Sequence, residues 1–232
     1  YKNCICDPPR KSQHEVVTCN TNISKNINLI KIQCFTSTKY FPGQYFNIYF
    51  DTNSRPYTPI GKINELNKLT FTIKNYGNDT ISGKICQYFQ DDKPITITGP
   101  FGNKYYNNSN DSIECNNKTI SKKNILMFSC GTGITPFNSI LTNLAKNTKY
   151  KFKLFSSFRS STNIICTEDL PIKPTLFISN KQNKLDSKKI QNILSLFNSE
   201  DTCILVCGTI PYTEFVKDCI TKISNKFNII IW

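Results

Sequence analysis

The hydrophobic period of this 232-residue chain changes partway along, and few architectures accommodate both periods. In the first half, residues 28–34, 44–50 and 68–76 carry β-branched and aromatic side chains in the two-residue alternation of strands, bounded by Pro-Gly, Asn or Ser. Turn signals recur there and long helical patterns are missing, which predicts an antiparallel barrel or sandwich over residues 1–115. A polar stretch over residues 105–123, containing Tyr-Tyr-Asn-Asn-Ser-Asn-Asp-Ser, reads as a long loop and interdomain connection. Beyond it strand and helix take turns. Strands are predicted at 124–129, 150–156, 175–179, 203–207 and 228–232, and helices at 136–146, 187–197 and 213–224. Phe137, Ile140, Leu141 and Leu144 mark the apolar stripe of the first helix. This alternation predicts a doubly wound parallel sheet over residues 116–232. The expected fold class is β + α/β, an antiparallel β domain followed by an α/β domain.

Composition narrows the class further. Hydrophobic residues at 38% and aromatics at 12% are too many for a disordered chain. No run approaches the roughly 18 apolar residues of a membrane-spanning helix, so the expectation is a soluble chain. The sequence begins at Tyr1 without Met, which leaves room for a signal, anchor or further domain before it. The net charge is +13, yet only Arg10, Arg55 and Arg159 are arginines, and there are 28 asparagines. Lys and Asn enriched together, with Arg scarce, is what an AT-rich genome gives. Residues 1–115 hold 13 basic and 9 acidic residues, and residues 116–232 hold 16 and 7. Nucleic-acid binders rely on arginine forks, so nucleic acid is not an expected partner.

Eleven cysteines are scattered without paired metal spacing. Cys4 and Cys6 form a Cys-x-Cys, but no second pair completes a site and the only histidine is His14. No metal is expected. Irregular thiols fit an intracellular, reducing compartment, either the cytoplasm or the cytoplasmic face of a membrane. Asn-x-Ser/Thr triplets such as Asn78-Asp79-Thr80 are expected by chance in a chain this rich in Asn.

Two segments carry chemistry. Met127-Phe128-Ser129-Cys130-Gly131-Thr132-Gly133-Ile134-Thr135-Pro136 runs from a strand through small residues into a helix. Glycines let a backbone approach a phosphate, and the helix start offers free N–H groups. An ordinary tight turn is the plain alternative, but ligands gather at the carboxyl ends of such strands. In the β half, Arg55-Pro56-Tyr57-Thr58-Pro59-Ile60 sets an arginine beside an aromatic ring and a hydroxyl, suited to a phosphate and a flat ligand. Taken alone, a Pro-flanked Tyr in a turn is the commoner reading. Ser82-Gly83-Lys84-Ile85-Cys86-Gln87-Tyr88-Phe89 reads as a Gly turn opening a short helix, and Gly99-Pro100-Phe101-Gly102 closes the β half.

An ordered series spans residues 42–208. It comprises Pro42-Gly43-Gln44, Arg55-Pro56-Tyr57-Thr58, Ile73-Lys74-Asn75-Tyr76, Gly83-Lys84-x-x-Gln87-Tyr88, Gly99-Pro100-x-Gly102, Gly131-Thr132-Gly133-Ile134-Thr135-Pro136 and Cys207-Gly208. The series resembles the NADH–cytochrome b5 reductases of the ferredoxin–NADP reductase superfamily. The resemblance implies a flavin-binding β-barrel followed by a nucleotide-binding doubly wound domain. It implies that Arg55 holds the FAD pyrophosphate, with Pro56 in the same set, and that Tyr57 lies along the flavin. Thr58 would hydrogen-bond the flavin ring near N5, and Lys74 and Tyr76 match FAD-contacting positions. The backbone of Gly83, Lys84, Ile85 and Cys86 would cap the FAD pyrophosphate. Gly131, Thr132 and Gly133 would cradle the pyridine-nucleotide pyrophosphate, with Thr135 and Pro136 at the junction. Cys207 and Gly208 would lie beside the nicotinamide, and Tyr212 completes the set. Thr58 and Cys207 are the catalytic candidates. Three departures stand out: Cys130 where the family has Gly, Cys86 where it has Ser, and Thr209-Ile210-Pro211-Tyr212 in place of a Pro-rich segment. A terminal aromatic shields the flavin in some relatives, and Trp232 is either that or a plain strand-end residue.

The implied activity passes a hydride from NADH to FAD and then single electrons to a haem protein such as cytochrome b5 or another acidic acceptor, which a basic surface would suit. Around Ser157-Phe158-Arg159-Ser160 no acid occurs until Glu168, so Arg159 and Ser160 could receive a 2′-phosphate and NADPH use should be detectable. A monomer is expected, with membrane contact only through a segment preceding Tyr1. The alternatives are the reductase portion of a larger flavoprotein with another acceptor, and a basic interaction module that lost its flavin.

Overall fold

The computed structural model describes residues 12–13, 16–18, 29–35, 39–63, 68–90, 96–180 and 183–232. Cys4, Cys6, Arg10 and His14 lie outside them. The first half contains β1 (Ser12–Gln13), β2 (Val16–Thr18), β3 (Leu29–Phe35), β4 (Tyr45–Phe50), β5 (Asn53–Tyr57), β6 (Lys68–Lys74), α1 (Ile81–Gln90) and β7 (Thr96–Phe101). They form two antiparallel sheets, ordered β1-β7-β4-β5 and β2-β3-β6. Alternation along β4 turns Phe46 and Ile48 inward, where they meet Leu69, Phe71, Ile73 and Ile97. Helix α1 adds Ile85 and Cys86 to the same core.

The expected strands at 44–50 and 68–76 are present as β4 and β6. Strands β1, β2, β5 and β7 were not expected, and in β5 lies Arg55-Pro56-Tyr57, which reads as a turn in the sequence. A proline is tolerated there because β5 is the edge of its sheet. The polar stretch 105–123 is likewise not a loop. It folds as an antiparallel meander of β8 (Lys104–Asn107), β9 (Ser112–Cys115) and β10 (Lys118–Thr119). Its few apolar residues, Tyr106, Ile113 and Ile120, point inward and are buried, which outweighs the polar composition of the rest.

The second half runs β11 (Asn124–Cys130), a 3-10 turn (Gly131–Ile134), α2 (Thr135–Thr142), β12 (Lys151–Phe158), β13 (Thr175–Ile178), α3 (Ser187–Leu194), β14 (Thr202–Cys207), α4 (Ile210–Ile223) and β15 (Asn228–Ile231). The five strands are parallel in the order β13-β12-β11-β14-β15, so the chain reverses its direction of travel across the sheet at β11. Central β11 is nearly all apolar because both faces are covered. Ile125 and Met127 meet Phe137 and Ile140 of α2 on one face, while Leu126 and Phe128 share the other with Ile190 of α3 and Val216 of α4. Helix α4 starts at Ile210, earlier than expected, because Pro211 is suited to a first turn.

Helix α2 joins the halves through polar side chains. The Gly61 N–H donates to Asn138 Oδ1 at 3.1 Å and the Ile63 N–H to Asn143 Oδ1 at 2.9 Å. Asn143 Nδ2 donates back to the Gly61 carbonyl at 2.8 Å. At the chain's last residue, Trp232 Nε1 donates to the Gly43 carbonyl at 3.2 Å.

A second polar node fastens the meander to the loop after α2. Tyr106 Oη donates to Asp111 Oδ1 at 2.7 Å and accepts from the Ala145 N–H at 2.9 Å. Asp111 also accepts from Thr148 Oγ1 at 2.7 Å and from the Lys149 N–H at 2.6 Å. Burial works to raise the Asp111 carboxyl, but these hydrogen bonds outweigh it and hold it below its ordinary value. A carboxyl depressed on folding stabilises above its unfolded pKa, about 3.9, and that stabilisation is lost as pH falls through the folded value. Tyr106→Phe leaves the Ala145 N–H without its partner and should cost about 1–3 kcal/mol in urea unfolding near neutral pH. Asp111→Asn should also destabilise near neutral pH, and its deficit relative to the parent chain should shrink as pH approaches about 3. A deficit independent of pH would remove the ionic contribution of Asp111.

Candidate cofactor cleft between the two halves

A single cavity of about 960 Å³ opens where the edge of the antiparallel half meets the carboxyl ends of the parallel strands. From the first half, Arg55, Pro56, Tyr57, Thr58, Lys74 and Tyr76 line it. From the second half come Gly131, Thr132, Gly133, Thr135, Pro136 and Arg159, together with Cys207 and Gly208. Residues far apart in sequence thus share one wall-to-wall space, at the switch point of the sheet where ligands of such folds bind.

Local geometry explains the residue types. Gly131 has φ +56° and open space where a Cβ would stand, so the turn presents bare backbone. A Cβ on Gly133 would lie 2.4 Å from the Cys207 carbonyl oxygen, so only glycine lets this turn seat against the end of β14. Gly208 makes the reciprocal allowance, since a Cβ there would lie 2.9 Å from Cys130 Cβ. That gap accommodates Cys130 where the family pattern has glycine. Thr135 Oγ1 donates to the Thr132 carbonyl at 3.0 Å and closes the turn onto α2.

Electrostatics favour an anionic, flat ligand. Arg55, Lys74 and Arg159 line the cavity, and no Asp, Glu or His among the described residues does. Lys74 Nζ stands 5.0 Å over the Tyr76 ring, which is 63% exposed. Burial, with smaller help from Cys86, pushes the Tyr57 hydroxyl far up, so it stays neutral beside Arg55. Burial likewise pushes the Cys207 thiol up to about 12 against a weaker pull from Lys104. Cys207 is therefore a neutral packing surface and not a thiolate nucleophile.

Some expected residues stand elsewhere. The lining near α1 is Thr80, Ile81 and Ser82, and the side chains of Lys84, Ile85 and Cys86 do not reach it. Ile85 and Cys86 are buried in the barrel core, and Lys84 Nζ lies 5.7 Å over the Phe50 ring. Gly83 serves a close approach, since a Cβ on it would lie 2.0 Å from the Gly77 carbonyl oxygen. Thr80 caps this start by accepting from the Gly83 N–H at 3.0 Å, and Ser82 Oγ accepts from the Tyr76 N–H at 3.3 Å. Thr80 is the N-cap hydroxyl that sequence reasoning passed over, while Ser82 ties the helix start to the preceding Tyr76 backbone. Tyr212 lies behind Gly208 and outside the lining, its ring carbon 3.0 Å from where a Gly208 Cβ would be. Ser157 and Asn163 line the cavity without having been picked out as cofactor residues, and Trp232, weighed between a flavin shield and a plain strand-end residue, lines it too.

The residues present fit a flavin nucleotide on one side and a pyridine nucleotide on the other: cations for pyrophosphates, flat neutral surfaces for rings, and an exposed glycine backbone at a turn. Comparison with known proteins supports the flavin side. Residues 14–106 match the oxidoreductase FAD-binding domain family. The chain is 26% identical over 176 residues to NADH-cytochrome b5 reductase 2-A of the yeast Vanderwaltozyma polyspora, covering 68% of this chain and 55% of that protein. It therefore spans only about half the length of that relative. It is also 26% identical over 206 residues to NADH-cytochrome b5 reductase 2 of Mus musculus, covering 74% and 75%. The fold matches the cytochrome b5 reductase domain of Ulva prolifera nitrate reductase with a TM-score of 0.75 at 16% identity, covering 97% of this chain and 98% of that one. Residues 14–106 are thus similar in sequence to an oxidoreductase FAD-binding domain, and the chain as a whole shares the fold of a cytochrome b5 reductase domain.

Proposed function

We propose that this chain takes a hydride from NADH onto FAD and delivers single electrons to a haem protein such as cytochrome b5. One observation carries the reading: a single cavity is lined by Arg55, Tyr57, Thr58 and Lys74 from one half and by Gly131, Gly133, Thr135 and Cys207 from the other. FAD, when bound, supplies the conversion of a two-electron donor into single electrons. Arg55 and Lys74 hold the flavin nucleotide by charge, and the neutral Tyr57 ring offers it a flat contact. The Gly131–Ile134 turn offers backbone N–H groups to the donor's pyrophosphate. Cys207, protonated at physiological pH, fills the space beside the nicotinamide without competing chemistry. Orientation across the seam is the protein's task, and no acid–base group is needed.

The names of the yeast, mouse and algal relatives support the donor and the acceptor class. Free thiols at Cys86, Cys130, Cys207 and Cys219 support a reducing compartment. Two further observations favour variants of the reading. The algal neighbour is one domain of a nitrate reductase, which favours a reductase portion within a larger flavoprotein. Arg159 lines the cavity with no carboxylate beside it, which favours a 2′-phosphate and hence NADPH as a second donor.

The reading is tested by the visible spectrum of the purified protein before and after anaerobic NADH. The oxidised-flavin band should be present and should bleach; a protein that stays colourless after FAD is added back would overturn the enzyme. Arg55→Ala should weaken FAD retention by about 10- to 100-fold, the worth of a charge-assisted phosphate contact, with the circular dichroism spectrum unchanged. Arg159→Ala should raise the NADPH KM by about tenfold or more while the NADH KM stays within a factor of two or so. If both move equally or neither moves, Arg159 does not read the 2′-position.

A further inference from the structure

One stretch of the chain differs from the rest in charge. Between Glu114 and Glu168 there is no acidic residue, while seven lysines and Arg159 fall inside the interval. The topology sorts them. In a parallel sheet with crossover helices, strand starts and helix ends share one edge, and strand ends share the opposite edge. Lys122 and Lys123 precede β11, Lys146 and Lys149 follow α2, and Lys151 and Lys153 open β12. Lys118 lies on β10, and Lys173, just outside the interval, precedes β13. Arg159 alone stands at the other end, on the cleft. The amino edge therefore collects the lysines.

These side chains are available. Lys123, Lys146, Lys149, Lys151, Lys153 and Lys173 are exposed, and none is in an ion pair with a described residue. Alternation along β12 puts Lys151 and Lys153 on one face while Leu154 turns into the core. The nearby acids are partly committed elsewhere: Asp111 to Tyr106, Thr148 and the Lys149 backbone, and Glu114 to Thr119 Oγ1 at 2.9 Å. Glu200 and Asp201, ahead of β14, flank the lysines, and Lys122 Nζ donates to the Glu200 carbonyl. Two of the most exposed aliphatic side chains share this edge. Leu196, 79% exposed, follows α3, and Ile223, 39% exposed, ends α4.

We propose that this amino edge is a docking face for an anionic lipid bilayer. Lysines are hydrated point charges that suit a diffuse layer of headgroups, whereas forked recognition of nucleic-acid phosphates and bases draws on arginine, and no described arginine stands here. A tight protein interface would be centred on aromatic or Arg anchors, but the exposed aromatic side chains Phe41, Tyr76 and Phe215 lie away from this edge. An exposed Leu196 beside lysines matches the apolar-plus-basic make-up of peripheral membrane contacts. The eight residues of β12 separate this edge from the cleft by about 25 Å, so a docked chain keeps its cleft in water. The proposal stands independently of the donor and acceptor.

The test is sedimentation of the full chain with vesicles of phosphatidylcholine alone and of phosphatidylcholine with phosphatidylserine. The chain should partition onto the anionic vesicles only, and should be released as salt rises from about 0.1 M to about 1 M. The triple variant Lys123→Ala/Lys151→Ala/Lys153→Ala should lose roughly 100-fold in partitioning, and Leu196→Ser should lose a further measurable share. Removing equal charge away from this edge, at Lys184, Lys188 and Lys217, should change it by no more than about threefold. Thermal melts confirm that the surface variants fold. Absence of binding to anionic vesicles would overturn the proposal, as would equal losses in the two triple variants. So would retention by an acidic protein or DNA with no vesicle partitioning.

Discussion

The cleft depends on one close approach, the backbone of Gly133 against the carbonyl of Cys207. A side chain at Gly133 would need a Cβ only 2.4 Å from that oxygen, a separation that real Cβ atoms do not adopt. The contact ties the turn after β11 to the end of β14, the two strands between which the sheet reverses direction. With the turn seated, Gly131 faces open space, Thr135 starts α2, and Cys207 closes the floor. Because Gly208 in turn makes room for Cys130, the departure from the family's glycine pattern is absorbed locally. Gly133 and Gly208 thus supply the two close approaches that seat the turn against the end of β14.

The seam between the halves is of a different kind. It is held by side-chain amides of Asn138 and Asn143 bonded to backbone groups of Gly61 and Ile63, and by Trp232 on Gly43. Gly61 follows the Arg55–Thr58 stretch by only a few residues, and Asn138 sits one turn after Thr135. One helix therefore positions the Arg55–Thr58 segment and the Gly131–Ile134 turn at once. Hydrogen bonds fix register across a polar interface without demanding a large apolar contact, so the cavity between the halves stays open.

Much of this was legible in the sequence, and the failures share a cause. The parallel half was readable because its strands are buried on both faces and its helices carry apolar stripes, so period and burial agree. The meander β8–β10 was not, because only Tyr106, Ile113 and Ile120 of a polar stretch are inward-facing, too sparse to register as alternation. The cleft residues Arg55, Tyr57, Thr58, Gly131 and Gly133 were found through the ordered motif series, since residue types alone left Arg55-Pro56-Tyr57 reading as a turn. Thr80 and Ser82 carry no signal beyond a hydroxyl near a helix start, whereas Gly83 stands out as the residue that permits the close approach to the Gly77 turn. Tyr212 was included for its place after Cys207-Gly208, yet helix α4 begins early and carries its ring behind Gly208.

The same topology that concentrates ligand groups at one edge of the parallel sheet leaves the other edge free of that demand. At the carboxyl ends, glycine and small polar residues are required and a carboxylate would oppose bound phosphate. At the amino ends no ligand restricts composition, so charge there reflects either drift or a partner. Compositional drift toward lysine would scatter cations over every exposed surface, yet the loop at Glu168 and Asp169 and helix α4 at Glu214 and Asp218 carry acids freely. An interval from Glu114 to Glu168 without one acid, folded so that six of its seven lysines flank strand starts or a helix end at one edge, departs from that scatter. Topology converts a sequence interval into a surface, and the surface carries the distinction between drift and a partner.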